Sequence, residues 1–253
     1  MSTSEENQYS AEQALRALGI SGYYFAPMVN LANNGNELSN ELLDKVNLTN
    51  RVRTNLDLSF IHFSDHNVKN CFTVFKSKFA ESDPDFLELG KLKKTITFKV
   101  FDSGEPLSKK RKQWLEVMSH HGYQSRGVSI FNIESCKPLL GVFVFFSDKT
   151  SMELEATLSR AEQFPRLVSD LANNLMNPLN SDHNPWVALK AISGNSHLIL
   201  QHLSEGIDTV QIAEMMHMSE RGVNYHIERM KALLQAKNRT HLVAKALREG
   251  FIS

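Results

Sequence analysis

The chain has few cysteines and no excess of charge of either sign. Its 253 residues include only two cysteines, Cys71 and Cys136. Two cysteines are too few for a disulfide framework, and these two form no C-x-x-C motif. The expected compartment is therefore the cytoplasm, where thiols stay reduced. Basic and acidic residues balance at 28 each, so the whole chain shows no general affinity for polyanions.

The sequence also lacks long apolar runs. Residues 1–8 are polar and acidic, without the basic region and apolar core of a signal peptide. The longest apolar run, Leu139 to Phe146, has about eight residues, whereas a helix needs about twenty to cross a bilayer. We interpret this run as a buried strand because it is rich in β-branched and aromatic residues. No membrane partner is expected.

Motifs of catalysis and metal binding are missing as well. The sequence has no glycine-rich phosphate loop, no nucleophile elbow and no paired acid/base motif. His62 and His66 lie in a stretch that looks extended, so they would not share a helix face as metal ligands. We therefore expect no enzyme, no cofactor and no metal site. An enzyme-like N-terminal domain fused to a DNA-binding module is the remote alternative.

The first two thirds of the chain alternate between strand-like and helix-like patterns. Strands are predicted at residues 20–29, 58–63, 95–101, 127–133 and 139–146. Helices are predicted at residues 11–18, 72–79, 109–121 and 153–176. The polar, asparagine-rich residues 30–53 are interpreted as an insertion with one helix near Leu42. Strands with helices between and beside them predict an α/β/α sandwich.

An apolar stripe runs along residues 153–176, where Pro165 interrupts it. Such a stripe must be buried, either on the chain's own sheet or against a second subunit. The segment that follows is rich in asparagine and is punctuated by Pro178 and Pro185, as is typical of a linker. We therefore divide the chain into a domain of residues 1–172, a linker of residues 173–189 and a C-terminal domain of residues 190–253.

The most informative pattern lies in the C-terminal domain. Four apolar residues recur at helical spacing and share one face of a helix: Val223, Ile227, Met230 and Leu234. Ser219 is a suitable N-cap for this helix. About three residues separate it from a shorter helix, which Asp208 can cap with Gln211 as its capping-box partner. Two helices joined by so tight a corner form a helix-turn-helix.

Further residues of this region follow a recognisable spacing: Gly206, Ile212, Ala213, Ser219, Val223, His226, Arg239, Thr240 and residues 250–252. They resemble the DNA-binding domain of LuxR-type transcriptional regulators. The resemblance implies an all-α, four-helix domain that binds double-stranded DNA as a homodimer, with RNA polymerase as a further partner. The candidate DNA-binding residues are Ser219, Arg221, Asn224, Tyr225, His226, Arg229, Lys231, Arg239 and Thr240.

Two positions depart from the pattern of this family. Gly222 stands inside the predicted reading helix where the family has a hydroxyl residue, at a cost of up to about 1 kcal/mol relative to alanine. It either lets the backbone approach a phosphate or has no function. Ser196 stands where the family has an acidic residue in the first helix of the domain. One internal ion pair is therefore expected to be missing.

The N-terminal part resembles the autoinducer-binding domain of the same family. The resemblance rests on residues 19–23, Asp83-Pro84, Gly127 and Ser147-Asp148. It implies a role in quorum sensing, with a small-molecule inducer bound in an α/β sensor domain. The implied ligand-binding residues are Asn70, Val74, Asp83, Phe98, Gly127 and Val144. By this resemblance, Asp83 accepts a hydrogen bond from the amide N–H of an acyl-homoserine lactone. An Asp before a Pro can equally serve as a helix cap without any ligand.

Most polar anchors of a lactone site are missing. Counting back from Asp83 places Asn70 and Val74 where the family has a tryptophan and a tyrosine. Counting back from Ser147 places Val144 at the position of a threonine. Because a ligand carbonyl left unpaired costs on the order of 1 to 3 kcal/mol, common acyl-homoserine lactones should bind poorly. Any inducer would be a different, more apolar molecule. Control by abundance or by a protein partner, without a ligand, is the alternative.

Overall fold

The computed structural model describes residues 3–29, 58, 60–89, 95–101, 108–133, 139–175 and 184–252. The insertion predicted at residues 30–53 and the connection between the strands predicted at residues 127–133 and 139–146 lie outside the described residues, apart from the ends of those strands. Within the described part, no helix is both long and apolar enough to span a bilayer.

The N-terminal part is built on a five-stranded sheet. Its strands are β1 (Gly22–Val29), β2 (His62–Phe63), β3 (Ile96–Val100), β4 (Ser125–Asn132) and β5 (Leu139–Ser147). Their order is β2-β1-β5-β4-β3, and every neighbouring pair is antiparallel. The strand predicted at residues 58–63 is limited to its last two residues.

Helices cover both faces of this sheet. They are α1 (Thr3–Ala17), α2 (His66–Lys78), α3 (Pro84–Leu89), α4 (Lys109–His120), α5 (Ser151–Ser159) and α6 (Phe164–Leu175). Because side chains alternate along a strand, Phe143 and Phe145 of β5 lie in one core layer, with α1 and α6. Val142 and Val144 lie in the other layer, with α2 and α4. The predicted α/β/α sandwich is confirmed.

The long helix predicted at residues 153–176 is two helices, α5 and α6. Pro165 lies in the first turn of α6, where its missing N–H group costs no hydrogen bond. α6 buries Phe164, Val168, Leu171 and Ala172 and packs on α1. Leu171 is 0% exposed, so the stripe is buried in the chain's own core. The alternative, that Leu171 contacts a second subunit, is wrong because its side chain is already enclosed.

The C-terminal part consists of helices alone in the residues described. They are α7 (Pro185–Ala188), α8 (Gly194–Ser204), α9 (Thr209–Met215), α10 (Glu220–Leu233) and α11 (Arg239–Arg248). The Trp186 ring stacks on Phe251 at 4.2 Å, and its Nε1 donates to the Glu249 carbonyl at 3.2 Å. Asn184 Nδ2 donates to the Phe251 carbonyl at 2.9 Å. The packed unit therefore includes Asn184 and Trp186, which lie inside the segment interpreted as a linker.

Candidate DNA-binding surface and buried N-terminal site

The two helices of the helix-turn-helix begin at the caps that the sequence predicts. Ser219 Oγ accepts the Gly222 N–H at 3.1 Å and starts α10. Asp208 Oδ1 accepts the N–H groups of Val210 and Gln211, each at 2.9 Å, and starts α9. The Gln211 side chain accepts the Asp208 N–H at 3.3 Å and completes the capping box. These local bonds fix where each helix begins and thus the direction in which α10 leaves the corner.

α10 has one buried face and one exposed face. The predicted stripe is buried in the domain core: Val223, Ile227, Met230 and Leu234. On the opposite side, Arg221 and Arg229 are exposed, and Tyr225 is 60% exposed. Between the helices, His217 has a φ of 52°, a left-handed conformation that closes the corner. The exposed face of α10 is therefore available to a partner.

Arg239, the first residue of α11, links three helices. Its Nη1 donates to Thr209 Oγ1 of α9 at 2.8 Å, and its Nη2 donates to Asn224 Oδ1 of α10 at 2.7 Å. Asn224 is half-buried by this arrangement, whereas Arg239 and Thr240 are exposed. Arg239 thus holds α9 and α10 in their relative orientation while its guanidinium stays at the surface.

Positive charge is concentrated around the exposed face. Between residues 219 and 239 the basic residues outnumber Glu220 and Glu228; they are Arg221, Arg229, Lys231, Lys237 and Arg239. Lys231 Nζ pairs with Glu228 Oε2 at 2.9 Å, and this Glu side chain is 67% exposed. An exposed pair of this kind is worth little, so a phosphate could take the place of the carboxylate. A local surplus of this sign suits DNA phosphates.

His226 points away from the exposed face. Its Nδ1 is hydrogen-bonded to Ser196 Oγ of α8 at 2.9 Å, and the ring is half-buried. Burial lowers the pKa of His226, and the positive charge of Arg229 lowers it further. Ser196, where an acidic residue was expected from the resemblance, therefore supplies a hydroxyl to this hydrogen bond. Of the candidate DNA-binding residues, His226 is the one whose side chain lies toward the domain core.

In the N-terminal domain, Asp83 is both a helix cap and an ion-pair partner. Its Oδ1 accepts the Phe86 N–H at 2.9 Å and caps α3, as the sequence predicts. Its Oδ2 accepts Arg126 Nη2 at 2.7 Å, and both side chains are 7% exposed. A buried carboxylate requires such a partner, because an isolated charge is strongly disfavoured away from water. Each carboxylate oxygen of Asp83 therefore already holds a donor of the chain itself.

The Arg126 guanidinium lies among three aromatic rings, which we call the guanidinium cage: Phe75, Phe101 and Trp114. The distances from its Cζ atom to the ring centroids are 5.6 Å, 4.9 Å and 5.6 Å, respectively. Cation–π attraction strengthens when the charge is withdrawn from water. The rings thus stabilise the positive charge of Arg126, a residue of β4 whose guanidinium lies in the core layer of α2 and α4.

Two donors in the cage have no acceptor. Arg126 Nε and Trp114 Nε1 are buried and make no hydrogen bond within the part of the chain that the structure describes. A buried N–H group without a partner costs about 1 to 3 kcal/mol, and such groups are rare in folded proteins. The cage therefore has unused capacity to donate hydrogen bonds.

The six ligand-binding residues suggested by the sequence do not converge. Val74 and Val144 pack in the core layer of α2 and α4, where Asp83 caps α3. Asn70 is exposed on α2. Phe98 packs on Phe164 in the opposite layer.

Gly127 also serves the opposite layer. A Cβ atom at this position would lie 2.4 Å from Cζ of Phe145, its cross-strand partner. The β3–β4 pairing is irregular between Ile96 and Lys99, so Ile96 faces the layer of α2 and α4 while Phe98 faces the other. The sheet therefore separates Phe98 and Gly127 from Asp83, and a single pocket cannot use all six positions.

The described residues contain no group of three or more His, Cys, Asp or Glu side chains that could hold a metal ion. His62 lies in β2 and His66 begins α2, so the two rings belong to different elements.

Comparison with known proteins identifies the C-terminal part. The family model described as bacterial regulatory proteins, luxR family, matches residues 193–246. These residues form a LuxR-family DNA-binding domain. No curated protein sequence matches the chain.

Two solved structures are similar over nearly the whole chain. The crystal structure of Escherichia coli SdiA has 18% identity and a TM-score of 0.46, covering 100% of this chain and 93% of that one. SdiA in complex with octanoyl-rac-glycerol has 17% identity and a TM-score of 0.42, covering 98% of this chain and 89% of that one.

The match places α8 to α11 in a DNA-binding domain of the luxR family of bacterial regulatory proteins. Sequence reasoning recovered the exposed face of this domain but missed Arg126 and Trp114 in the N-terminal domain. One signal was visible. Arg126 directly precedes the strand predicted at residues 127–133, and a charge carried into the core beside such a strand requires a buried partner.

Proposed function

We propose that the protein is a LuxR-type regulator of transcription that binds an inverted-repeat operator as a homodimer, with α10 in the major groove. The exposed face of α10 carries the proposal, because Arg221, Tyr225 and Arg229 lie opposite the buried stripe. An arginine can donate two hydrogen bonds to a guanine edge, which makes Arg221 the candidate for base recognition. One helix-turn-helix reads only a few base pairs, and two-fold symmetry doubles the site.

DNA binding can be tested by fluorescence anisotropy on an inverted-repeat duplex selected from a random library. Arg221→Ala should weaken specific binding by about 1 to 3 kcal/mol and relax the sequence preference. Lys231→Ala should weaken specific and random duplexes alike and reduce the salt dependence. Lys69→Ala, an exposed charge on α2, is the matched control and should change nothing. Equal losses for all three variants would contradict the assignment.

We further propose that a small molecule other than a typical acyl-homoserine lactone controls the N-terminal domain. Asp83 supports this, because its two carboxylate oxygens already hold the Phe86 N–H and Arg126. The same ion pair supports ligand-independent control as the second candidate, since the chain itself supplies the partner that an inducer would otherwise supply. The proposed compartment is the cytoplasm, where bacterial DNA lies and RNA polymerase is the expected partner.

A further inference from the structure

We propose that the guanidinium cage is the recognition point for a neutral, apolar small molecule with a carbonyl oxygen, and that Arg126 and Trp114 bind this oxygen. The inference rests on the proposed function, in which a small molecule controls the N-terminal domain. It adds the chemistry of the ligand and the residues that select it.

The two unused donors carry the argument. Arg126 is 6% exposed and Trp114 is 2% exposed, so water has little access to either. Their free atoms, Nε of Arg126 and Nε1 of Trp114, are donors in every protonation state that these side chains adopt in proteins. Within the described residues neither has an acceptor, and the guanidinium lies over the face of the indole ring, 5.6 Å from its centroid. The missing group must therefore be a hydrogen-bond acceptor.

The charge of the site requires a neutral acceptor. Asp83 already balances the charge of Arg126 at 2.7 Å, so a ligand carboxylate would add an uncompensated buried charge. A carbonyl oxygen accepts one or two hydrogen bonds without that cost. Because the cage walls are Phe75, Phe101 and the Trp114 ring, the body next to the carbonyl should be apolar or aromatic.

This chemistry differs from that of an acyl-homoserine lactone. The lactone's amide N–H needs an acceptor, and at Asp83 it would have to share an oxygen with the Phe86 N–H or with Arg126. The cage instead offers donors to a ligand that has none of its own. Ketones, esters and related neutral carbonyl compounds fit this pattern.

The test uses the two tryptophans of the full-length, ¹⁵N-labelled protein. Each indole gives one N–H signal, assigned with Trp114→Phe. Trp186 Nε1 already donates to the Glu249 carbonyl, so its signal is the internal reference. Acetophenone is the carbonyl probe, ethylbenzene has nearly the same shape without the oxygen, and benzoate is the anionic counterpart.

Acetophenone should shift the Trp114 signal saturably and leave Trp186 in place. Ethylbenzene and benzoate should each bind at least about tenfold more weakly than acetophenone. Ethylbenzene loses one hydrogen bond, and benzoate adds an unbalanced charge. In thermal-shift titrations, Trp114→Phe keeps an aromatic wall and should weaken acetophenone about threefold to tenfold while ethylbenzene is unchanged. This variant leaves the ion pair of Arg126 and Asp83 in place, so the test does not depend on breaking that pair.

An ordered water that accepts both N–H groups is the competing explanation. It predicts that no probe shifts the Trp114 signal, or that acetophenone and ethylbenzene shift it equally, and either result overturns the proposal. Anisotropy with operator DNA on the same preparation separates this failure from that of the proposed function. If the protein binds operator DNA but acetophenone gives no selective response, the carbonyl site is rejected and the proposed DNA-binding function is not.

Discussion

The buried pair of Asp83 and Arg126 offers the sharpest prediction about the N-terminal domain. Removing one member of a buried ion pair leaves an uncompensated charge and costs about 3 to 5 kcal/mol. Arg126→Met keeps an apolar side chain that can contact the cage rings, and Asp83→Ser keeps an oxygen that can cap α3. The loss of stability in each single variant should therefore come from the missing charge partner, and not from a cavity or from the loss of the α3 cap.

Thermal unfolding followed by tryptophan fluorescence measures the effect. For a domain of this size, 1 kcal/mol corresponds to about 2 to 4 °C, so each single variant should melt about 6 to 20 °C lower. The double variant, which leaves no charge unpaired, should recover at least half of the loss. The C-terminal transition, in which Trp186 is buried, should stay in place. Single variants that melt like the wild type, or losses that simply add, would refute the reasoning.

Three further predictions concern the ligand, α10 and acid sensitivity. Lactones with short, medium or long acyl chains should give no saturable rise in melting temperature at sub-micromolar concentration, and such a rise would show that residues outside the predicted set supply the donors. Gly222→Ala should change the stability of the domain by no more than about 1 kcal/mol, because the better helix propensity of alanine is opposed by close contacts of the added Cβ with the Met218 side chain and the capping Ser219 hydroxyl, each at 3.3 Å. If DNA affinity falls in that variant while stability is kept, the glycine admits a phosphate; unchanged affinity means that it does not. The pKa of His226 is lowered from its ordinary value of 6.5. The contribution of the neutral ring to stability is therefore complete above pH 6.5 and is lost as the pH falls below 6.5. The urea midpoints measured at about pH 7.5 and pH 5.5 should therefore differ less in His226→Gln than in the wild type. An equal difference in both proteins would show that another residue causes the acid sensitivity.

What the sequence predicts well is local. The caps at Asp208 and Ser219 act on N–H groups two or three residues away, and the buried stripe of α10 depends only on helical spacing. Pro165 likewise marks the interruption of the apolar stripe, although the division into two helices was not predicted. Each of these features needs no knowledge of where distant segments lie.

The N-terminal site depends on contacts that no local pattern carries. Asp83 and Arg126 are 43 residues apart and meet only because β4 lies beside the helices of one sheet face. Phe98 was placed in the pocket by analogy, and the irregular pairing of β3 turns it to the other face. A one-residue change of register exchanges the two faces of a strand, so position along the sequence does not determine which layer a side chain enters.

Asn184 and Trp186 join the point where the chain enters the C-terminal domain to the point where it ends. Their side chains donate hydrogen bonds to the Phe251 and Glu249 carbonyls, so residues from the beginning and the end of the domain lie next to each other. A change in the position of Asn184 or Trp186 therefore acts on the residues that follow α11 directly, without passing through α8 to α10. Ile252, beside this junction, is itself buried, so the proteins for these experiments should carry their tags at the amino terminus.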